Sequence, residues 1–484
     1  MPFDDLRQFL AALDAEGQLL RVREQVTAEP DLAAASAAAV RMGDAAPALY
    51  FDDVAGFRHA RIVTNVHGSW ANHALALGLD PGTPVRDQVE EFARRCEAFP
   101  VSPIRPEEPA PFLENSATGE SADLFDVLPL FRLNEGDGGF FIDKAAVISR
   151  DPDAPDDFGR QNVGIYRLQV KGRRRLGLQP VPMHDIAKHL AAAESRGEDL
   201  QVAIALGNDP VITMAAAMSV GYDESEYAMA GALRGAPVPL AGGPATGLDV
   251  PWGSEVVIEG RVLAGEREIE GPFGEFTGHY TGGRKMPVIE VDRISYRTDP
   301  VYESLYLGMP WGEVDYLIGP ATCIPLMRQL RGDFPEVRAV NALYTHGLVV
   351  IVSTERRYGG FARSVGLRAL TTTHGLGYCK LVIVVDEDVD PFNLPQVMWA
   401  LSTKVNAARD VVQVPGMSVV GLDPSSDPPG ITDKLVIDAT TPVPPDARGR
   451  FEAAVTDPPE TGAWMRRLAT LAREQQKLVH DVRV

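Results

Sequence analysis

The last third of the chain alternates apolar stretches with helical patterns, and this alternation constrains the fold most. The apolar runs are VRAVNALY, LVVIVSTE and KLVIVVDEDVD, and helical patterns follow the second and third of them at 362–371 and 394–401. Strands that are apolar on both faces are typical of parallel sheets covered by crossover helices. The sequence therefore predicts a parallel α/β layer here. An amphipathic helix at 461–477 follows, which docks on a neighbouring subunit or on its own chain.

The first two thirds of the chain divide at a proline-rich, acidic stretch near residues 103–111. Before this stretch, helical patterns are interleaved with short apolar strands, which predicts an α/β region. After it, strand patterns dominate residues 120–300, which predicts a small barrel or sheet with helices packed on it. The predicted strands lie at 144–149, 162–170, 175–178, 201–206, 255–261 and 288–296, and the helices lie at 183–198 and 212–217.

The charge balance and the cysteine count exclude several classes of protein. The 484-residue chain has a formal net charge of -21, which argues against binding to nucleic acid or to anionic membranes. Its three cysteines are far apart and form neither a disulfide framework nor a cysteine-based zinc site. The N-terminus, MPFDDLRQFL, lacks the apolar run of a signal peptide, and a reducing cytoplasm is the simplest expectation.

The segment EREIEGPFGEFTGHYTGG holds a pair of glutamates, Glu270 and Glu275, on either side of a bend. On a helix or a strand, a spacing of five residues would direct the two side chains apart. Pro272 and Gly274 favour a tight bend instead, which can direct both carboxylates into one cavity. Two carboxylates held close together raise the pKa of one of them, which creates an acid near neutral pH. A surface turn with solvated glutamates is an equally good interpretation of this segment alone.

The segment QNVGIYRLQVKGRRR combines small, polar and basic residues on a predicted strand. Asn162, Gly164 and Tyr166 alternate along it, and Gly164 leaves room for a ligand close to the backbone. Arg167 can pair in a bidentate manner with a carboxylate or a phosphate. The basic run that follows is best interpreted as a solvated hairpin tip.

A further glutamate, Glu226, leads into an apolar helix and therefore needs a partner. Together with Asn162 and His184 it would form a site for a hard divalent ion that also holds a phosphate. The three residues come from separate segments, and a lone histidine such as His184 is more often a cap or packing residue. The glycine-rich stretches match neither a Walker loop nor a dinucleotide fingerprint.

Several motifs in this order resemble the UbiD family, whose members are decarboxylases that use prenylated flavin mononucleotide (prenylated FMN). The motifs are NVGIYR, PVPMHD, SEYAMAGALRG, EGPFGEFTGHY and YCKLVIVVDEDVDPFNLPQVMWALSTK, and they span nearly the whole chain. The run from PWGEVDYLIGPATCIPL through NALYTHGLVVIVSTERRYGGFARSVGLRALTTTHGLGYCK most closely resembles the large (C) subunit of bacterial hydroxyarylic acid decarboxylases, which act on acids of the 4-hydroxybenzoate or vanillate type.

The resemblance implies specific residue roles. A Glu-Arg-Glu network of Arg167, Glu270 and Glu275 would be catalytic, and Asn162, His184 and Glu226 would bind a divalent metal, usually manganese. Backbone groups near Ala215, Ala216 and Met218 match a potassium site. The implied cofactor-binding residues are Asn162, Gly164, Ile165, Tyr166, Arg167, Met183, His184, Ala217, Glu226 and Lys380.

The resemblance also implies a mixed α/β (α+β) fold with three domains. These are an N-terminal α/β domain (1–112), a split β-barrel flavin-binding domain (113–305) and a C-terminal α/β oligomerisation domain with a terminal helix (306–484). The implied reaction is non-oxidative removal of CO2 from an aromatic hydroxy acid through a covalent cofactor–substrate adduct, with Mn2+ and K+ as further cofactors. The implied partners are a small carboxylic acid, a flavin prenyltransferase and further copies of the chain, as a dimer or hexamer.

Three alternatives stay open at this point. The same chemistry could act on an α,β-unsaturated acid in secondary metabolism. A plain FMN oxidoreductase on a split barrel would instead use NAD(P)H. A non-catalytic assembly subunit would not bring the Glu-Arg-Glu residues together in space.

Overall fold

The N-terminal part interleaves helices with short strands, as its sequence pattern predicts. The computed structural model describes residues 3–57, 61–182, 184–309, 311–445, 455–468 and 470–471. The first helix begins after Asp5, whose carboxylate accepts a hydrogen bond from the backbone N–H of Gln8. Its apolar stripe, including Leu6 and Phe9, is fully buried. The elements are α1 (Leu6–Ala15), β1 (Leu19–Val22), α2 (Ala33–Met42), β2 (Ala48–Phe51), β3 (Arg61–Thr64), α3 (Trp70–Ala76) and α4 (Val85–Cys96).

The central part is rich in strands and carries four of the helices. Its first elements are β4 (Asn115–Thr118), α5 (Leu124–Val127), β5 (Phe141–Ile142), β6 (Ala146–Arg150), β7 (Gln161–Ile165), β8 (Leu168–Gly172), β9 (Arg175–Leu178), α6 (Asp185–Ser195), β10 (Leu200–Leu206), α7 (Pro210–Ala216) and α8 (Glu226–Arg234). The remaining elements are β11 (Leu240–Gly242), β12 (Asp249–Pro251), β13 (Val256–Glu270), β14 (Phe273–Gly274), β15 (Tyr280–Thr281), β16 (Arg284–Tyr296) and β17 (Val301–Ser304).

One nine-stranded sheet organises this region around the long antiparallel pair β13 and β16. Its order is β5-β8-β9-β16-β13-β10-β6-β7, and β4 pairs with β16. Among the described residues its end strands do not pair with each other, so the sheet is an open path and not a closed barrel. The mixed α+β class is confirmed. Strand β17 leaves this region and extends the N-terminal sheet, where it runs parallel to β3.

The predicted single strand at 162–170 is wrong in one respect that shapes the site. The segment forms two strands, β7 and β8, and residues 166–167 lie between them. Strand β7 pairs with β6, whereas β8 pairs with β5 and β9. Arg167 lies directly after this change of pairing partners. The direction of its side chain is therefore not fixed by the alternating faces of one continuous strand, and the side chain reaches the β13–β14 bend.

The C-terminal part forms a five-stranded mixed sheet in the order β18-β19-β20-β22-β21. Its elements are α9 (Glu313–Asp333), β18 (Val337–Asn341), β19 (Val349–Thr354), α10 (Phe361–Leu370), α11 (Thr373–Gly377), β20 (Leu381–Asp386), α12 (Leu394–Lys404), α13 (Ala407–Asp410), β21 (Val411–Ser418) and β22 (Ile431–Ala439). Only β19, β20 and β22 run parallel to one another, and β18 and β21 are antiparallel edges. The predicted parallel layer is therefore correct for its core alone.

Two helices of the C-terminal part differ in how well the sequence predicts them. The predicted helix at 461–477 is helical at 461–468 and at 470–471, and the rest of it lies outside the described residues. Helix α9 is 21 residues long and was not predicted, because it contains Pro320 and Pro325 and lacks a clear apolar stripe. None of the helices among the described residues combines the length and the apolar character needed to cross a membrane.

Candidate active site

A buried arginine and two buried glutamates form the centre of the site. Arg167 donates from Nε to Oε1 of Glu270 at 2.8 Å and from Nη2 to Oε2 at 2.9 Å, which makes a bidentate pair. Its Nη1 also donates to Oε1 of Glu275. The guanidinium carbon lies 4.7 Å from the centre of the Phe273 ring. The structure thus brings together the three residues that the sequence analysis singled out as catalytic.

The bend that positions the two glutamates is a short hairpin. Strand β13 ends at Glu270, and Gly271 adopts a φ of +93°, which a residue with a Cβ rarely adopts. Strands β14 and β15 then pair, and the Glu275 backbone N–H donates to the carbonyl of His279 at 3.0 Å. Asp137 supports the hairpin from outside by accepting a hydrogen bond from the Gly274 N–H at 2.8 Å. Both carboxylates therefore face the same guanidinium although they lie five residues apart.

The electrostatics of the cluster favour a proton on Glu275. Burial raises the pKa of the Glu275 carboxyl, Arg167 opposes this effect, and the neighbouring Glu270 adds to it. One guanidinium cannot fully neutralise two carboxylates that have both lost their water. A carboxyl group with a raised pKa in a dry site can serve as a general acid.

The three residues proposed to bind a metal occupy one neighbourhood beside β7. Asn162 lies on β7, and its Oδ1 accepts hydrogen bonds from the Tyr166 hydroxyl at 2.8 Å and the Ile186 N–H at 3.1 Å. Glu226 begins α8, and its Oε2 accepts from the N–H of Val163, the residue after Asn162, at 3.0 Å. The His184 ring lies 5.1 Å from the Tyr166 ring. Segments that are far apart in sequence therefore meet at this point.

The chemistry of these donors fits a hard divalent ion. Burial raises the pKa of Glu226 to about 8, and none of the described residues forms a salt bridge with its carboxylate. Burial lowers the pKa of His184 to about 4, so its ring is neutral and can coordinate a metal. Its Nδ1 accepts the Val181 N–H at 3.2 Å, which leaves the proton on Nε2. Coordination through Nε2 would therefore require the other tautomer of the ring.

The other implied cofactor-binding residues lie in different surroundings. The Tyr166 ring fills the space above Gly164, where an added Cβ would lie 2.5 Å from ring atoms. Ile165 ends β7, and Ala217 caps the C-terminal end of α7, which packs against β7 and α8. Met183 lies outside the described residues. Ala215 and Met218, at the implied potassium site, are joined by a backbone hydrogen bond of 2.9 Å.

Lys380 lies in the C-terminal part, directly before β20. Its Nζ pairs with Asp423 at 2.8 Å and also contacts Ser425. Neither partner belongs to the β7 neighbourhood or to the Arg167 cluster. The structure therefore places Lys380 on a different element from the other implied cofactor residues, held by partners within the C-terminal part.

Three sequence profiles of one family match successive segments of the chain. They describe the N-terminal, Rift-related and C-terminal domains of 3-octaprenyl-4-hydroxybenzoate carboxy-lyase, and they match residues 10–92, 104–310 and 315–439. The chain belongs to the UbiD family. It is 65% identical to the phenolic acid decarboxylase of Escherichia coli O157:H7 over 471 residues, which covers 97% of this chain and 99% of that protein.

Solved structures of UbiD enzymes share the fold over nearly the full length. The vanillic acid decarboxylase of Sedimentibacter hydroxybenzoicus in its closed form is 49% identical, with a TM-score of 0.89 and coverage of 98% of this chain and 99% of that chain. An evolved dimeric UbiD-class enzyme from Pelotomaculum thermopropionicum, in complex with prFMN, is 31% identical with a TM-score of 0.79, and the match covers 95% and 98% of the two chains. The UbiD chain described here is a carboxy-lyase.

The structure also shows a buried cluster that sequence reasoning missed. His67, Glu303 and Glu313 place potential ligand atoms within 4.8 Å of one another. The Nζ of Lys144 lies among them, 2.7 Å from Glu303 Oε1 and 2.9 Å from His67 Nδ1, and it also contacts Glu313. An ammonium group therefore occupies the position that a metal ion would need, and we interpret the cluster as an ion-pair network joining all three parts of the chain.

The C-terminal part contributes a second set of residues that the sequence analysis did not single out. The Phe276 ring lies 3.7 Å from the ring of His346. His374 contacts the His346 carbonyl, and its ring stacks on Tyr378 at 4.9 Å. The motif THGLGYCK contains two of these residues, but nothing in their spacing indicates that they approach the hairpin. Their proximity to Glu275 depends on packing between domains.

Proposed function

We propose that this UbiD enzyme is a non-oxidative decarboxylase of aromatic hydroxy acids of the 4-hydroxybenzoate or vanillate type, and that it depends on prenylated FMN. The buried cluster of Arg167, Glu270 and Glu275 carries the proposal, in a chain related to phenolic and vanillic acid decarboxylases. Loss of CO2 from an aromatic carbon leaves a carbanion that protein side chains do not stabilise. The prenylated flavin, when bound, supplies the electron sink.

Arg167 would hold the substrate carboxylate while it keeps Glu270 ionised. A guanidinium offers five N–H donors, and Arg167 directs three of them to Glu270 and Thr281 and a fourth to Glu275. Within the described residues, the second N–H of Nη1 has no acceptor, so it is available to an incoming carboxylate. This N–H lies on the same nitrogen that contacts Glu275. The substrate carboxylate would therefore bind directly beside the group that holds the proton.

Glu275 would deliver its proton to the carbon from which CO2 departs. Burial raises its pKa, which favours the protonated carboxyl, and the Phe273 ring covers one face of the neighbouring guanidinium. Glu270 would remain an ionised partner that fixes the orientation of Arg167 through two parallel hydrogen bonds. The side chains of Arg167, Glu270 and Glu275 are all nearly completely buried, which excludes water that could otherwise supply protons.

Asn162, His184 and Glu226 would hold Mn2+ or another divalent ion against the flavin phosphate. Glu226 supplies the one negative charge of the donor set, and the metal would in turn stabilise this buried carboxylate. The proposed cofactor surroundings also include Gly164, Ile165, Tyr166, Met183, Ala217 and Lys380. Backbone groups near Ala215, Ala216 and Met218 would bind K+.

We further propose three domains with boundaries near 112 and 305, a cytoplasmic location, and a dimer or hexamer formed through the C-terminal domain.

The test is expression of the chain with and without a flavin prenyltransferase, followed by assays of CO2 release. We expect release from 4-hydroxybenzoate or vanillate only when the purified protein contains prenylated FMN, as shown by cofactor mass and absorbance. Release from cinnamates or alkenoic acids alone would favour the α,β-unsaturated alternative. Substrate reduction or oxidation with NAD(P)H and plain FMN would contradict the proposal.

A further inference from the structure

A series of contacts begins at Phe276, beside Glu275, and continues through His346 and His374 to Tyr378. Phe276, the next residue in the hairpin, packs its ring against His346 with 3.7 Å between ring centres. The His346 carbonyl faces His374 Nε2 at 3.1 Å, and His374 stacks on Tyr378 with ring planes 8° apart. Burial raises the pKa of Tyr378, and the Glu275 carboxylate adds to this effect. Residues of the C-terminal domain thus line the space next to the proposed acid.

The backbone of His346 is held in a conformation that costs free energy. Its φ is +56°, in the left-handed region that residues with a Cβ rarely adopt. The following Gly347 also has a positive φ, and an added Cβ there would lie 2.7 Å from His374 Nε2. The turn is therefore constrained by its neighbours. Strained backbone of this kind is concentrated at functional sites.

The imidazole of His346 also has an unsatisfied nitrogen. Its Nδ1 is shielded from solvent and has no hydrogen-bond partner among the described residues, although the residue as a whole is partly exposed. Buried polar atoms are nearly always hydrogen bonded, so an exception requires an explanation. Burial lowers the pKa of His346 to about 3, which keeps the ring neutral. A neutral imidazole offers one N–H and one lone pair but no charge.

We propose that Nδ1 of His346 forms a hydrogen bond with the ring hydroxyl of the bound aromatic acid and thereby selects hydroxylated acids. This inference rests on the proposed function. A phenolic hydroxyl both donates and accepts hydrogen bonds, so it satisfies the imidazole in either tautomer. A second carboxylate or a phosphate would find no counter-charge at His346, whereas Arg167 offers one. The neutral imidazole and the charged guanidinium therefore suit the hydroxyl and the carboxylate of a hydroxybenzoate, respectively.

Two substitutions of His346 separate its hydrogen bond from its packing. His346→Gly removes the ring and suits the positive φ, so this variant should fold. His346→Phe keeps a ring against Phe276 but removes the hydrogen bond. The matched control is His279→Phe, because His279 is an exposed histidine of the same hairpin. Thermal unfolding monitored by circular dichroism checks the fold of each variant.

The measurement is the dissociation constant of 4-hydroxybenzoate and of benzoate, determined by calorimetry on the cofactor-loaded enzyme with Glu275→Gln present throughout, so that the hydroxy acid is not consumed during the titration. We expect the enzyme with His346 intact and the control to prefer 4-hydroxybenzoate, and both His346 variants to reduce this preference roughly 10- to 100-fold. His346→Phe should leave the affinity for benzoate nearly unchanged, because packing is retained.

Two results would overturn the inference: an unchanged preference in both His346 variants, or an equal loss of affinity for the two acids. The first would show that the hydroxyl has another partner, and the second that His346 only shapes the turn. A wild-type enzyme that shows the preference but releases no CO2 from hydroxy acids would contradict the proposed function and leave the binding role of His346 intact.

Discussion

Replacement of Glu275 by glutamine separates proton delivery from the integrity of the buried cluster. With both carboxylates ionised, one guanidinium faces two negative charges, and a glutamine side chain removes the excess charge without changing the shape. Its amide oxygen can still accept the hydrogen bond from Arg167, and the bidentate pair with Glu270 is untouched. We therefore expect the free energy of unfolding to change by less than about 1 kcal/mol. Loss of a general acid should lower kcat by roughly 10²- to 10⁴-fold.

The assay compares CO2 release, bound prenylated FMN and thermal unfolding for wild type and Glu275→Gln. The control is Glu268→Gln, because Glu268 is a partly exposed glutamate on β13, the strand that leads into the hairpin, and its partner is Arg175. Turnover of Glu275→Gln at the wild-type rate, with its flavin bound, would refute the role of Glu275 as the acid. A loss of turnover that follows only from loss of flavin would refute it as well.

The stability of the Glu275→Gln variant relative to wild type should also depend on pH. Because folding raises the pKa of Glu275, the protonated carboxyl stabilises the fold at low pH, and this contribution is lost as the pH rises through the folded value. Glutamine does not titrate. The variant should therefore gain stability relative to wild type as the pH increases, which thermal unfolding at a series of pH values measures. A difference that stays constant with pH would contradict the assignment of the proton to this carboxyl.

Three further predictions concern other buried charges. Burial raises the pKa of Asp143 to about 7, so wild type should lose up to roughly 4 kcal/mol relative to Asp143→Asn as the pH rises from below about 4 to above about 7, measured by denaturant unfolding at pH values across that window. Lys144→Met should lower the free energy of unfolding by about 3–5 kcal/mol, because Glu303 and Glu313 lose their cation, and a chelator should not reproduce this effect in wild type. Glu226→Gln should be purified with less manganese and less flavin than wild type, as shown by metal analysis and absorbance, and retention of both would contradict the proposed metal site.

Some helices and strands of this fold could be predicted from the local sequence pattern, whereas the bounds of others depend on strand pairing or packing. Strand β9 has the predicted bounds, because its residues alternate and glycines and prolines flank it. The split at residues 166–167 was not predictable, since both halves have the same strand-like composition and only the change of pairing partners separates them. Helix α9 was missed because Pro320 and Pro325 argue locally against a helix, and packing overrides this preference.

The site shows the same division between local and long-range information. The bend between Glu270 and Glu275 could be predicted because Pro272 and Gly274 are local signals. The contact of both glutamates with Arg167 joins segments more than a hundred residues apart, and no local signal reports it. His346 was missed for a related reason: its strain and its unsatisfied nitrogen exist only in the folded chain.

A comparison of the two buried cation clusters explains why only one of them is suited to hold a mobile proton. Lys144 is a compact charge that contacts both of its carboxylates, and Glu313 also accepts the His67 backbone N–H at 2.7 Å. Although burial acts in the opposite direction, Lys144 and His67 lower the pKa of Glu313 to about 2, so that carboxylate stays ionised.

The guanidinium of Arg167 is planar, and its geometry gives the two glutamates unequal numbers of hydrogen bonds. Glu270 receives two parallel hydrogen bonds from Nε and Nη2, whereas Glu275 receives one from Nη1. Glu275 therefore has less compensation for the water it loses on burial, and its pKa rises. Arg167→Lys should abolish this inequality of contacts, because a point charge cannot form the bidentate pair. An arginine at this position thus keeps one glutamate as a fixed anion and leaves the other as the acid.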